Sequence, residues 1–194
     1  MKKITILILA LILISCSKEE SISEPDYSTF LNNNDHIFNF KTNLTTYNWS
    51  FESAKFQMRS GYSPIQYTPP TAIFMSGLIS NDGLNYFNLL TPEIDISNKT
   101  AIDNVLSVGK KKFGDVYEHF NLTIAINKNE YVTKPNDNFE LEILKKEEFL
   151  NYDNKKRLLV WIKINNLVIE NINQNGDFLE IKEGFMVAEF GDFK

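Results

Sequence analysis

The residue best suited to covalent chemistry is Cys16, the only cysteine in the 194-residue sequence. A single cysteine cannot form a disulfide within its own chain, so its thiol is available as a nucleophile. Cys16 stands between the apolar run Ile4–Ile14 and the charged residues Lys18, Glu19 and Glu20. This position favours a role in attachment over that of a chance free thiol.

The residues before Cys16 have the pattern of a secretory leader. Lys2 and Lys3 form a short positive region, and the apolar run Ile4–Ile14 follows. The run has the length of a signal-peptide core, about 7–15 residues, and is shorter than the roughly 20 residues that a membrane-spanning helix needs. We therefore expect residues 1–15 to be a signal peptide.

The end of the leader reads Leu13, Ile14, Ser15 and Cys16, and this resembles the lipobox of bacterial lipoproteins. The resemblance implies transfer of a diacylglyceryl group to the Cys16 thiol, cleavage before Cys16 and acylation of the new amino group. Two or more acyl chains anchor a protein stably in a membrane, whereas one does not. The membrane is thus an expected partner, reached through an N-terminal lipid.

The residues after Cys16 concern sorting. Ser17 stands where an Asp would retain a proteobacterial lipoprotein in the inner membrane, and Lys18-Glu19-Glu20 resembles the export signal of Bacteroidota surface lipoproteins. The resemblance implies a lipid anchor in the outer membrane, with surface exposure favoured over the periplasmic face. We expect residues 16–35 to be the acylated cysteine and a flexible tether, and residues 36–194 to be one β-rich domain.

The charge of the chain argues against nucleic acid as a partner. The formal net charge is −5, and loss of Lys2 and Lys3 with the leader would make it −7. Binding to nucleic acid needs clustered Lys and Arg side chains that replace counterions. The short run Lys110–Lys112 is too isolated for that, and we predict that it lies in a solvated loop.

The second half of the domain is dominated by apolar residues at every second position, which is typical of strands. The segments Asn121–Asn127 and Phe139–Lys145 show this period, and Arg157–Glu170 is apolar on both faces in its first half. We predict that the latter is a long central strand. The segment Phe178–Phe190 is predicted to be two short strands or one strand with a bulge at Gly184.

The first half contains further strand, turn and helix signals. Asn81-Asp82-Gly83 and Asn175-Gly176 predict hairpin turns, because Asn and Gly tolerate positive φ. Thr100–Asp103 resembles a capping box, and Gly109 could end the helix that it begins. The remaining predicted strands are Ile37–Thr42, Trp49–Met58, Ala72–Ser80 and Asn85–Leu90.

These elements predict an all-β fold, an antiparallel β-sandwich with at most one short helix. A lipocalin-like barrel is the alternative. The segments "FNFKTNLTTYNWSFESAKFQM" and "GDFLEIKEGFMVAEF" are similar to small β-sandwich lipoproteins of the Bacteroidota. That resemblance implies a fold and a cellular address rather than an activity.

We find no motif for catalysis or for metal binding. His36 and His119 are far apart in sequence and lie in no metal-ligand pattern. Glu140 and Glu142 share one strand face, but alternating Glu on a solvent-facing strand is ordinary. We therefore assign no catalytic residue, metal ligand or cofactor, and we expect a protein that is not an enzyme.

The remaining candidates for binding are Tyr62 and Tyr67 in the segment "SGYSPIQYTPPTAIF", which we predict to be a long loop. A segment with large aromatic rings and few charged residues could bind a protein partner, or its rings could stack on sugars. The sequence thus favours a non-catalytic binding module for a protein or a glycan. The alternative is an accessory subunit of an outer-membrane uptake or assembly complex.

Overall fold

The computed structural model describes residues 28–32, 34–134, 139–150 and 154–191. Cys16 and its neighbours Leu13, Ile14, Ser15, Ser17, Lys18, Glu19 and Glu20 lie outside the described residues. In the described part of the chain, no helix has the length and apolar character needed to cross a bilayer.

Strands make up most of the described chain, and the two described helices are short. Helix α1 (Ser28–Leu31) is a single turn, and α2 (Lys99–Val105) is the helix that the sequence predicts. The strands are β1 (Ile37–Thr42), β2 (Thr46–Ser50), β3 (Phe56–Tyr67), β4 (Pro70–Ser80), β5 (Tyr86–Leu90), β6 (Ile94–Asp95), β7 (Gly109–Lys112), β8 (Asn121–Ile126), β9 (Asn129–Val132), β10 (Glu140–Leu150), β11 (Lys156–Asn171) and β12 (Phe178–Gly191).

The strands form one antiparallel sheet that curls on itself, in the order β2-β1-β12-β11-β9-β8-β5-β4-β3. The prediction of an all-β fold with very little helix is confirmed. The sheet forks at β11. Its residues 156–164 pair with β10, which in turn pairs with β7, whereas Glu170 and Asn171 pair with β9.

The inner face of the curled sheet holds the main core. Along β11, Leu158, Val160, Ile162 and Ile164 point into it at every second position, as expected of a central strand. Rings from β1, β2 and β5 complete this core, including the stacked pair Phe38 and Phe40 at 4.6 Å between centroids. Burying such a side chain contributes about 1.5–3 kcal/mol each.

A second apolar cluster lies on the outer face of the sheet. It comprises Ile37, Leu159, Trp161 and Val187, and Phe30 and Leu31 of α1 pack against it. Lys145 Nζ donates a hydrogen bond to the Leu31 carbonyl at 3.0 Å. The packed part of the chain therefore begins before His36, within the segment that the sequence assigns to a tether.

Three predictions about local structure need correction. The run Lys110–Lys112 is not in a loop but in strand β7, which pairs with β10. Lys110 and Lys112 are exposed, and Lys111 between them is half-buried. The segment Trp49–Met58 is interrupted between β2 and β3, where Ala54 has a positive φ. Strand β12 is continuous at Gly184, and the bulge lies at Lys182.

The predicted turns and the helix start can be judged from the backbone. Gly83 and Gly176 have φ of 71° and 84°, so both predicted turns use a glycine in the left-handed region. The N-cap of helix α2 lies two residues before Thr100, the predicted start of the capping box. It is Asn98, whose side chain accepts a hydrogen bond from the Thr100 backbone N–H at 3.0 Å.

Candidate functional site

The predicted loop that carries Tyr62 and Tyr67 is in fact the hairpin of β3 and β4. Tyr62 lies opposite Phe74, Tyr67 lies opposite Pro70, and the turn contains the Thr68–Pro69 bond. The loop prediction was wrong because prolines usually interrupt strands. Here β3 is the outermost strand at its end of the sheet, where a missing backbone donor is tolerated.

The outer strand of this hairpin is an exposed, uncharged surface. Tyr62 is 49% exposed and Tyr67 is 87% exposed, and Ile65 between them is also exposed. The Tyr62 ring rests against the core at 5.9 Å from the Phe74 ring. From Ser60 to Asn81 the chain carries no Asp, Glu, Lys or Arg. We call Tyr62, Ile65 and Tyr67 the hairpin surface.

The backbone of β3 is poorly suited to pairing with a further strand. Pro64 has no N–H, and a bulge at Ile65 breaks the register with β4. Proline and bulges are the devices by which natural sheets block their edges against strand addition. Contacts at the hairpin surface must therefore come from side chains rather than from an added strand.

A second candidate is a polar groove of about 290 Å³ where the sheet forks at β11. It lies over the outer face of β7, β10 and β11. We call it the fork groove, and its lining residues are Lys110, Phe139, Glu140, Leu141, Glu142, Lys163, Asn165 and Asn166.

Positive and negative groups alternate across the fork groove. Glu142 lies directly opposite Lys110 of β7 and directly opposite Lys163 of β11. Lys110 also forms an ion pair with Glu140, with 3.1 Å between Nζ and Oε2. The two ammonium groups and the two carboxylates thus balance in charge.

Of the residues that line the groove, only Glu140 and Glu142 stand out as candidates in the sequence. Lys110, Lys163 and Asn165 come from two other strands, and their proximity depends on a register that no sequence pattern reveals. Asn166 has a φ of 49°, a left-handed conformation that Asn adopts more readily than most residues. An Asn pair inside a strand-like apolar segment was the available signal.

Neither histidine lines the fork groove or belongs to the hairpin surface. His36 Nε2 is 3.1 Å from Glu189 Oε2, and Arg157 Nε is 3.7 Å from Glu189 Oε1. This cluster is largely buried, and Ser76 Oγ accepts the Glu189 backbone N–H at 2.9 Å. His119 lies beside Gly114. Among the described side chains, no three of His, Cys, Asp and Glu are placed to share a metal ion.

The clearest pKa shifts arise from structural contacts. Burial, together with a hydrogen bond to Glu130, raises the pKa of Tyr86 to about 12. A hydrogen bond from Lys134 lowers the pKa of Glu170, and burial lowers the pKa of Lys111 in β7. Each shift follows from packing or pairing within the sheet rather than from a cleft of reactive groups.

Comparison with known proteins adds no assignment. No family model, no curated protein and no solved structure matches this chain. The candidate functional features are therefore the hairpin surface, the fork groove and the sequence around Cys16.

Proposed function

We propose that this protein is a lipoprotein, anchored in the outer membrane through Cys16, whose β domain is a non-catalytic module that binds a protein partner. The observation that carries the binding role is the hairpin surface. It presents exposed Tyr62 and Tyr67 within a stretch that has no charged side chain.

The composition of the hairpin surface favours a protein over a glycan at this place. The centres of protein interfaces are depleted in charged residues and enriched in Tyr, which is also frequent among the residues that dominate binding energy. A sugar would need several converging polar groups. The exposed segment 62–69 offers Ser63, Gln66 and Thr68 but no carboxylate.

The backbone of the hairpin supports the same role. Both tyrosines belong to β3, which is hydrogen-bonded to β4, and Tyr62 is braced by Phe74. Rings held on a paired strand lose less conformational freedom on binding than rings on a long loop. The hairpin surface is thus better prepared for a partner than the predicted loop would have been.

The proposed anchor is compatible with the position of α1. Residues 17–27 separate Cys16 from α1, and at full extension they would span roughly 40 Å. A lipid on Cys16 would thus keep the domain close to the membrane. If the partner is a membrane channel or assembly complex, the protein would act as its accessory subunit.

The partner-binding role is tested by affinity purification of the full chain from detergent-solubilised membranes. We expect partners to co-purify with the wild type and with Phe178→Ala, and to be lost from the Tyr62→Ala/Tyr67→Ala double variant. Phe178 is a matched control because it is an exposed ring on a different strand. Equal recovery with the double variant would contradict the proposal. Stoichiometric recovery of one complex would favour the subunit role.

The anchor is tested separately with Cys16→Ser. We expect wild-type protein to incorporate labelled palmitate and to sediment with membranes, because acylation needs the thiol. The variant should do neither. Palmitate incorporation and membrane association that survive in Cys16→Ser would show that the lipoprotein assignment is wrong.

A further inference from the structure

We infer that the fork groove is a binding site for a neutral saccharide. This site is separate from the hairpin surface and does not depend on the lipid anchor or on the protein partner proposed above. The inference rests on the shape of the groove, on the kinds of polar groups in it and on their charge balance.

The shape of the groove follows from the fork in the sheet. The neighbour of β11 changes from β10 to β9 between Ile164 and Glu170, so the outer surface is concave beside Asn165 and Asn166. Its volume of about 290 Å³ lies near the lower end of ligand pockets, which span roughly 300–1,000 Å³. That size suits a mono- or disaccharide better than a peptide segment.

The polar groups of the groove match hydroxyl groups. Lys110 and Lys163 can only donate hydrogen bonds, ionised Glu140 and Glu142 can only accept them, and the two Asn amides do both. A sugar hydroxyl is at once a donor and an acceptor. A sugar ring with several hydroxyls can therefore hydrogen-bond to the donors and to the acceptors of the groove. A ligand that only donates or only accepts hydrogen bonds can pair with one of the two sets.

The charge balance of the groove argues for a neutral ligand. Glu142 is flanked by Lys110 and Lys163, and Lys110 is already paired with Glu140 at 3.1 Å. A charged ligand would have to compete with these pairs and would leave one of the groove's own charges without compensation. A neutral sugar can be bound without separating them.

Apolar surface is also present in the lining. Phe139 is partly buried against the core, and Leu141, which stands between Glu140 and Glu142 in β10, is buried in the main core. The carbon surface beside the polar groups of the groove therefore comes mainly from Phe139. Ligand pockets commonly have such surface. The C–H faces of a sugar ring need such surface, whereas a simple ladder of ion pairs would not.

The alternative is that these residues only stabilise the sheet through cross-strand ion pairs. Exposed pairs of this kind contribute about 0.2–1 kcal/mol each. That role explains Lys110 and Glu140, but it does not require the concave fork or the exposed pair Asn165 and Asn166. The two interpretations differ in one measurable respect, which is the binding of a sugar.

The test uses the purified full chain in a detergent without a sugar headgroup. Saturation-transfer NMR is recorded with glucose, galactose, mannose, N-acetylglucosamine, maltose and lactose, and with the charged sugars glucuronate and glucosamine. We expect saturable binding of at least one neutral sugar in preference to the charged ones. Absence of binding by every neutral sugar, or stronger binding of a charged sugar, would overturn the inference.

Variants then assign the binding to the groove. Glu142→Ala and Asn165→Ala should each weaken the affinity about tenfold through loss of hydrogen bonds. Glu148→Ala should have no effect, because Glu148 is an exposed carboxylate of the same strand outside the groove. Affinities that are equal in all three variants would contradict the assignment. The Tyr62→Ala/Tyr67→Ala variant should retain sugar binding, so failure at either site is distinguishable from failure at the other.

Discussion

The outer face of β11 has a dry half and a wet half. Leu159 and Trp161 are buried in the outer apolar cluster, against which α1 packs. Two residues further on, Lys163 and then Asn165 point from the same face into the fork groove. Side chains alternate between the two faces in both halves of the strand. The halves differ because α1 packs against the first and the groove lies over the second. The dry half is buried under α1, and burial of its apolar side chains stabilises the fold. The wet half lines the groove and carries polar side chains, which we propose bind a ligand.

The largest effect should come from the dry half. Trp161→Ala would leave a cavity in the outer cluster and would remove the ring beneath Lys145, whose Nζ is 4.2 Å from the ring centroid. We expect a loss of about 3–5 kcal/mol in the free energy of unfolding, measured by urea titration. A loss below about 1 kcal/mol would mean that this half is not part of the stabilising structure.

A smaller effect is expected from the buried polar cluster on the same face. Glu189→Gln would remove the negative charge that faces His36 and Arg157. Because these groups are largely withdrawn from water, we expect a loss of about 2 kcal/mol in unfolding free energy. Glu180→Gln is a useful comparison, since Glu180 lies in β12 but is more exposed. Equal stability of the two variants would contradict the importance of the cluster.

A pH-dependent effect on stability is expected at Glu170, in the part of β11 that pairs with β9 instead of β10. The hydrogen bond from Lys134 holds the pKa of Glu170 below its ordinary value, so ionised Glu170 stabilises the folded state. This contribution is fully present above the unfolded pKa of Glu170 and is lost as pH falls through the lower folded pKa. The Tm difference between wild type and Glu170→Gln should therefore be larger at pH 7 than at pH 3. A difference that grows on acidification would reverse the predicted sign.

The smallest effect on stability should come from the wet half and the hairpin surface. Glu142→Ala and Tyr67→Ala remove side chains that contribute little to packing. The free energy of unfolding of each variant should therefore lie within about 0.5 kcal/mol of the wild-type value. Circular dichroism melts check this directly. A loss comparable to that of Trp161→Ala would assign these residues to the fold rather than to binding.

The sequence predicted those strands and turns that depend only on the pattern of neighbouring residues. Alternation in Asn121–Asn127 located β8, and the run Arg157–Glu170, apolar on both faces in its first half, located β11. Gly83 and Gly176 located two turns. These features depend on local sterics and on a period of two residues. The sequence also predicted that the first half of β11 is covered on both faces, as Leu158 to Ile162 are.

The features that sequence reasoning missed depend on contacts between distant segments. The fork groove requires the register of β7, β10 and β11, and the position of β3 at the end of the sheet explains why Pro64 is tolerated in a strand. Packing of α1 on the outer cluster requires Phe30 to meet Phe185, whose ring is 5.1 Å away. None of these pairings leaves a periodic signal in the sequence.

Site-specific photo-cross-linking in intact cells tests whether a protein partner binds the hairpin surface. A photoreactive amino acid replaces Tyr67 in one variant of the full chain and Phe178 in another. We expect a discrete cross-linked product from position 67 and none from position 178. No product from position 67, or the same product from both positions, would contradict binding at the hairpin surface.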